Sequence, residues 1–146
     1  MKIAIGADHA GFDLKQQLIA ELPDVEWLDL GPSSADRVDY PDYAAAVCEA
    51  ILDGRATSGV LVCGSGIGMS IAANKFRGIR AAHAESEAAA RLARQHNNAN
   101  VLCIGARLSA PGYARSLVPS WLGARVEGGR HEDRIKKITA LEASCR

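Results

Sequence analysis

Apolar residues gather in five short runs along the chain, and each run gives way to a stretch of helical spacing. Lys2 to Gly6 alternates around Ile3 and Ile5, after which Phe12, Leu14, Leu18, Ile19 and Leu22 recur three or four apart, a first strand and helix. Glu26 to Leu30 reads as a second strand, broken by Gly31-Pro32-Ser33-Ser34. A polar, turn-prone segment around Asp39-Tyr40-Pro41 precedes an Ala-rich helix predicted from Tyr43 to Leu52. Val60 to Cys63 is a third strand, with a helix after it from Ile67 to Asn74, and Ile79 to Ala82 is a fourth. Glu85 to Gln95 is rich in strong helix formers and ends before His96-Asn97-Asn98. Val101 to Ile104 is the fifth strand, closed by Gly105.

The alternation then changes. Ala110 to Leu122 is predicted as one helix, in which the interior Pro119 implies a kink or an early stop. Arg130 to Ser144 is a terminal helix with Ile135, Ile138 and Leu141 on one face. With no repeat and no linker, residues 1–146 are expected to form a single domain. Five strand–helix alternations imply an α/β fold with a five-stranded parallel sheet covered on both faces, extended at the C-terminus by helix. Ligands of such sheets sit outside the carboxyl ends of the strands. Asp8 and His9 follow the first strand, Cys63 to Gly68 the third and His83 the fourth, so they share that rim. His96-Asn97, at the end of a helix, starts on the opposite rim and is expected to reach a chemical site only in a neighbouring subunit.

Composition narrows the function classes. Seventeen basic residues balance seventeen acidic ones, which argues against a nucleic-acid surface or an anionic-membrane surface. The apolar start meets Asp8 too soon for a signal-peptide core, and no apolar run approaches a membrane span, so a cytoplasmic protein is expected. The four cysteines show neither a CxxC pair nor zinc spacing and are expected to be free thiols. Cys48 falls in a helix, Cys103 in a strand and Cys145 at the chain end; only Cys63 abuts a glycine loop.

That loop carries the candidate chemistry. From Val60 to Lys75 an apolar strand ends at a thiol, passes Gly64, Gly66 and Gly68, and becomes a helix. Unpaired amides and the dipole at a helix start suit an anion, and a thiolate beside them can remove a proton. A buried cysteine closing an apolar strand is the plainer alternative. The glycine spacing does not fit a dinucleotide fingerprint, which would place Gly where Met69 stands, and no phosphate-loop motif with GK[ST] occurs. Arg130 and Arg134, four apart, either grip one phosphate or form part of a solvated charged face; Arg107 has the same two readings. Asp8, His9 and His83 offer a minor metal-binding alternative. Together a thiol base, a histidine, an anion loop and paired arginines point to proton abstraction next to a carbonyl on a phosphorylated substrate, with a cysteine hydrolase or a redox thiol as alternatives.

The chain resembles the ribose-5-phosphate isomerase B family, which includes allose- and galactose-6-phosphate isomerases. The likeness is carried in order by Ile5-Gly6-Ala7-Asp8-His9-Ala10-Gly11, Asp39-Tyr40-Pro41-Asp42-Tyr43-Ala44, Cys63-Gly64-Ser65-Gly66-Ile67-Gly68 with Ala72-Ala73-Asn74-Lys75, Arg94-Gln95-His96-Asn97, Trp121-Leu122-Gly123 and Gly128-Gly129-Arg130-His131. The resemblance implies a Rossmann-like three-layer α/β/α sandwich and a homodimer or homotetramer with sites built from two subunits. It implies aldose–ketose isomerisation of a sugar phosphate through an enediol, with no metal or organic cofactor. By motif, Cys63 corresponds to the base, His96 to the proton donor that opens the sugar ring, and Asp8 to its helper. Ser65 and the loop Gly64, Gly66, Ile67 and Gly68 would stabilise the enediolate. His9, Arg107, Arg130 and Arg134 match phosphate positions, Asn97 a hydroxyl contact and Tyr40 the pocket wall. Ribose 5-phosphate is the expected substrate. A six-carbon sugar phosphate is the alternative, and a non-catalytic nucleotide-binding module a more distant one.

Overall fold

A computed structural model describes residues 1–110 and 112–144; Cys145 lies outside the described residues. Its strands are β1 (Lys2–Ala7), β2 (Glu26–Asp29), β3 (Ser58–Cys63), β4 (Ala81–His83) and β5 (Val101–Gly105). They form one parallel sheet in the order β2-β1-β3-β5-β4. The helices are α1 (Phe12–Glu21), α2 (Tyr40–Leu52), α3 (Ile67–Ala73), α4 (Glu87–Asn97), α5 (Ala114–Leu122) and α6 (Arg130–Ser144).

The strands are apolar on both faces because helices cover both. Ile3, Ile5, Val60, Val62, Leu102 and Ile104 point to the side of α1, α4 and α5, where Leu18, Ala90, Leu117 and Trp121 meet them. Ala4, Leu61, Cys63, Val101 and Cys103 point to the side of α2 and α3, against Val47, Cys48, Met69 and Ala73. The strand period of two therefore decides that Cys63 faces α2 and α3, while its neighbour Val62 faces the other layer. Helix α6 lies outside the two layers, against α4. The Glu142 carboxylate on α6 accepts from the Gly78 amide at 3.1 Å, tying it to the turn before β4. Among the described residues, no helix is long and apolar enough to cross a membrane.

Several boundaries differ from those read from the sequence. α2 begins at Tyr40 rather than Tyr43, because Pro41 falls in the first turn, where no helical N–H is required. α4 runs through His96 and Asn97 and stops at Asn98, whose φ of 45° is left-handed. β4 is shifted to Ala81–His83, leaving Ile79 to fill the core beside α3. Pro119 does not end α5, which continues to Leu122; buried Leu117, Val118 and Trp121 anchor the face that holds the helix through the missing hydrogen bond.

Lys15 is fully buried on α1, with its Nζ 2.6 and 2.7 Å from the two Asp29 oxygens and 3.0 Å from the Pro32 carbonyl. An ion pair with a third acceptor satisfies a cation that would otherwise be too costly to bury. It also pins the end of β2 and the Gly31-Pro32 turn against the first helix.

This strand order sets where a ligand can sit. From β1 the chain leaves through α1 toward β2, and from β3 it leaves through α3 on the opposite face toward β4. The carboxyl ends of β1 and β3, adjacent in the sheet, thus form the switch point where open α/β sheets bind ligands.

Candidate active site

Cys63 closes β3 at this switch point and lines a cleft of about 360 Å³ together with Asp8, Tyr40, Gly64, Ser65, Gly68 and Arg107. The residue is only 4% exposed. The Gly66 amide donates to Cys63 Sγ at 3.0 Å, so the loop places a backbone dipole directly on the sulfur. An amide aimed at a thiolate favours the ionised form, which is the form that can act as a base. The loop reaches this position because Gly66 takes a φ of +76°, and a Cβ there would lie 2.7 Å from His83 Cδ2 and 2.9 Å from the Ile104 carbonyl carbon.

The other walls of the cleft are built from neighbouring strand ends. The Asp8 amide donates to Val62 O at 3.1 Å, while Asp8 Oδ1 accepts from the Gly11 amide at 2.9 Å, which fixes the carboxylate beside β3. Arg107 follows β5; its amide donates to Gly64 O at 2.9 Å and its guanidinium lies against Gly64. Tyr40, at the start of α2, lays its ring over Gly68, where a Cβ would come within 2.8 Å of it. Ser65 Oγ accepts from the Ile67 amide at 3.3 Å. The amides of Gly66 and Ile67 are thereby engaged within the loop, and Ile67 turns its side chain to solvent. His9 is on the same rim, with its Nδ1 3.2 Å from Val38 O, toward the segment that precedes α2.

The remaining thiols differ in kind. Cys48 and Cys103 are fully buried and free. Burial, with Glu49 nearby, pushes the Cys48 thiol up to about 12. Burial likewise raises Cys103 well above the ordinary thiol range, and Cys63 and Cys48 add to the rise.

A second group of polar residues forms away from this cleft. α4 starts near the rim that holds Cys63 and returns about 16 Å in eleven residues, so His96 and Asn97 stand beside the start of β5. There the His96 and His131 rings stack, with centroids 4.1 Å apart and planes 8° from parallel. Glu127 Oε2 lies 3.7 Å from His96 Nε2 and 3.5 Å from His131 Nε2. Arg130 opens α6 and Arg134 follows one turn later; both bear on His131. Burial lowers the His131 imidazole below its ordinary value, with His96, Arg130 and Arg134 adding to the effect and Glu127 opposing it. Three such ligand atoms lie close enough for a metal ion. Stacked rings, however, keep their in-plane lone pairs in two separate, nearly parallel planes that do not meet at one ion, so this arrangement does not suit chelation. The Asn97 carbonyl accepts from Arg80 Nε at 3.0 Å.

The cleft thus gathers Asp8, Tyr40, Cys63, Gly64, Ser65, Gly68 and Arg107, whereas His96, Asn97, Arg130 and Arg134 form a separate group. Glu127 was not singled out from the sequence. Its signal was available: it stands four residues before His131, just ahead of the glycine pair.

Comparison with known proteins shows the family. The Ribose/Galactose Isomerase family matches residues 3–138. Ribose-5-phosphate isomerase B of Escherichia coli is 49% identical over 143 residues, 97% of this chain and 96% of that protein. The structure of Clostridium thermocellum ribose-5-phosphate isomerase B superposes with a TM-score of 0.97 at 42% identity, covering all of both chains. That of a ribose 5-phosphate isomerase from Thermotoga maritima gives 0.92 at 49% identity, covering 95% of this chain and 97% of the other. The chain belongs to the ribose/galactose isomerase family. It is an aldose–ketose isomerase with the α/β fold of the type B enzymes.

Proposed function

We propose that the protein interconverts D-ribose 5-phosphate and D-ribulose 5-phosphate, with Cys63 as the base that carries the proton between C2 and C1. The observation that carries this reading is the Gly66 amide held on Cys63 Sγ at 3.0 Å in the floor of the cleft. The cyclic aldose opens first. The C1–O4 bond breaks as O4 takes a proton from His96, and the anomeric hydroxyl loses its proton toward Asp8 as the C1 carbonyl forms. The Cys63 thiolate then removes the C2 proton, and the electron pair moves through an enediolate whose oxygens face the Ser65 hydroxyl and the loop. Returning the proton to C1 while O1 gains and O2 loses one completes the ketose. A donor placed on such an oxyanion is worth ~10² to 10³ in rate.

The placement of the two groups at opposite ends of the sheet supports a site shared between subunits. His96 and Asn97 of one protomer, with Arg130 and Arg134 for the phosphate, complete the Cys63 cleft of a second copy in a homodimer. Exposed Ile67 and Ile71 on α3 beside that cleft are the kind of apolar surface such a contact covers. The free thiols and the absence of a spanning helix among the described residues fit a cytoplasmic enzyme.

The test is an isomerase assay on five- and six-carbon aldose phosphates with wild type and Cys63→Ala. Highest kcat/KM on ribose 5-phosphate, with kcat abolished in the variant and binding retained, supports the reading. Near-normal turnover by Cys63→Ala removes the thiol from the mechanism, and a preference for a six-carbon substrate moves the assignment to that sugar.

A further inference from the structure

The stacked histidines share one carboxylate, and nothing in the cleft chemistry above accounts for it. Glu127 is tied in place by its backbone, whose amide donates to Gln95 O at 2.8 Å, next to His96 on the last turn of α4. Its side chain, half exposed, reaches both Nε2 atoms at 3.7 and 3.5 Å, ion-pair distances that leave room to tighten when substrate arrives. His131, only 8% exposed, covers one face of the His96 ring. A carboxylate at one imidazole nitrogen fixes the ring's tautomer and orientation and leaves the other nitrogen for proton transfer.

We propose that Glu127 is a positioning residue for ring opening: it holds His96 by Nε2 against the His131 ring, so that Nδ1 of His96 is presented to the sugar. The proposal rests on the isomerase reading above. It assigns Glu127 to one step only, because the proton transfer between C2 and C1 belongs to Cys63. A deuterium at C2 separates these steps, since only the proton transfer breaks the C2–H bond. Ribose 5-phosphate is a closed furanose that must open before it reacts. Ribulose 5-phosphate carries its phosphate on the oxygen that would close a five-membered ring, and is therefore open already.

The experiment compares Glu127→Gln and Glu127→Ala with wild type on ribose 5-phosphate carrying either protium or deuterium at C2. Turnover from ribose 5-phosphate is expected to fall by at least roughly tenfold, part of the ~10² to 10⁴ that a positioned acid–base group supplies. The C2-deuterium isotope effect on that turnover is expected to fall below the wild-type value because ring opening becomes the slower step, while kcat/KM from ribulose 5-phosphate falls by the same factor, as the fixed equilibrium constant requires. A loss with an isotope effect at or above the wild-type value, as from damage to the proton transfer or a general loss of structure, overturns the proposal, and so does no loss at all.

Imidazole NMR of the unliganded protein supplies a second readout. The charges bearing on His131 are His96, Arg130 and Arg134, which lower its titration, and Glu127, which alone among these neighbours raises it. Glu127→Gln therefore shifts the His131 titration further down; an unmoved titration overturns the proposal. A wild-type protein inert toward both sugars would strike the isomerase reading instead, and the titration would still report whether Glu127 holds the pair.

Discussion

The amide of Gly66 points at the sulfur of Cys63 from 3.0 Å, and it does so only because Gly66 adopts a left-handed φ of +76° over the His83 ring. The turn is therefore part of the chemistry as well as of the fold. Gly66→Ala is expected to destabilise the protein by about 1 to 3 kcal/mol, the cost of such a strained backbone position. Because the new methyl group must also push the amide off the sulfur, kcat should fall much more than KM rises. Urea unfolding with steady-state kinetics checks both, and an Ala variant with wild-type kcat would show that the amide does not serve the thiolate.

Thiol reactivity should separate the cysteines. Cys48, pushed up to about 12, and Cys103, raised well above the ordinary range, are almost wholly protonated at neutral pH and sealed in the core. Cys63 opens onto the cleft. Brief treatment with iodoacetamide near pH 7.5 should alkylate Cys63 while leaving the Cys48 and Cys103 peptides unmodified by mass spectrometry, with activity lost in step. Alkylation of Cys48 at the same rate would contradict the burial argument.

Lys15 and Asp29 should matter to stability far from the cleft. Lys15→Ala removes a fully buried cation from a bidentate pair and leaves Asp29 and the Pro32 carbonyl without their donor. Breaking a buried pair on one side typically costs about 3 to 5 kcal/mol; with Asp29 partly exposed, about 3 kcal/mol is expected. Chemical denaturation measures it, and a change under about 1 kcal/mol would mean that water compensates freely.

Acid should weaken the fold through His131. Its imidazole titrates below the ordinary 6.5 in the folded protein, so between the folded and unfolded values the unfolded chain binds more protons. The stability linked to this group is complete above about pH 6.5 and is lost as pH falls through the folded value. His131→Asn should flatten that acid limb when Tm is followed from pH 8 to pH 5. An unchanged slope would assign the limb to other groups.

Much of this protein is written in local patterns. Period-two runs such as Val60 to Cys63, and helical spacing such as Leu14, Leu18 and Leu22, specify strands and helices because each residue answers to its neighbours one to four positions away. The loop from Cys63 to Gly68 was legible for the same reason, and the ordered family motifs with it. Lys15 sits on the apolar face of its helix, three residues before Leu18, but spacing alone does not predict its burial, because a lysine is seldom fully buried.

Other features arise only when distant segments meet. The position of β5 between β3 and β4 is a matter of long-range strand pairing, which no local pattern encodes. The same holds for His96 lying flat on His131, thirty-five positions away, with Glu127 between their nitrogens. Local spacing can name the residue types that chemistry needs, but which of them share a cleft depends on the packing of layers and on the direction in which each helix returns. The rims of Asp8, Cys63 and His96 were legible from strand and helix ends, but only the packing set β1, β3 and β5 side by side and so closed Asp8, Cys63 and Arg107 around one cleft.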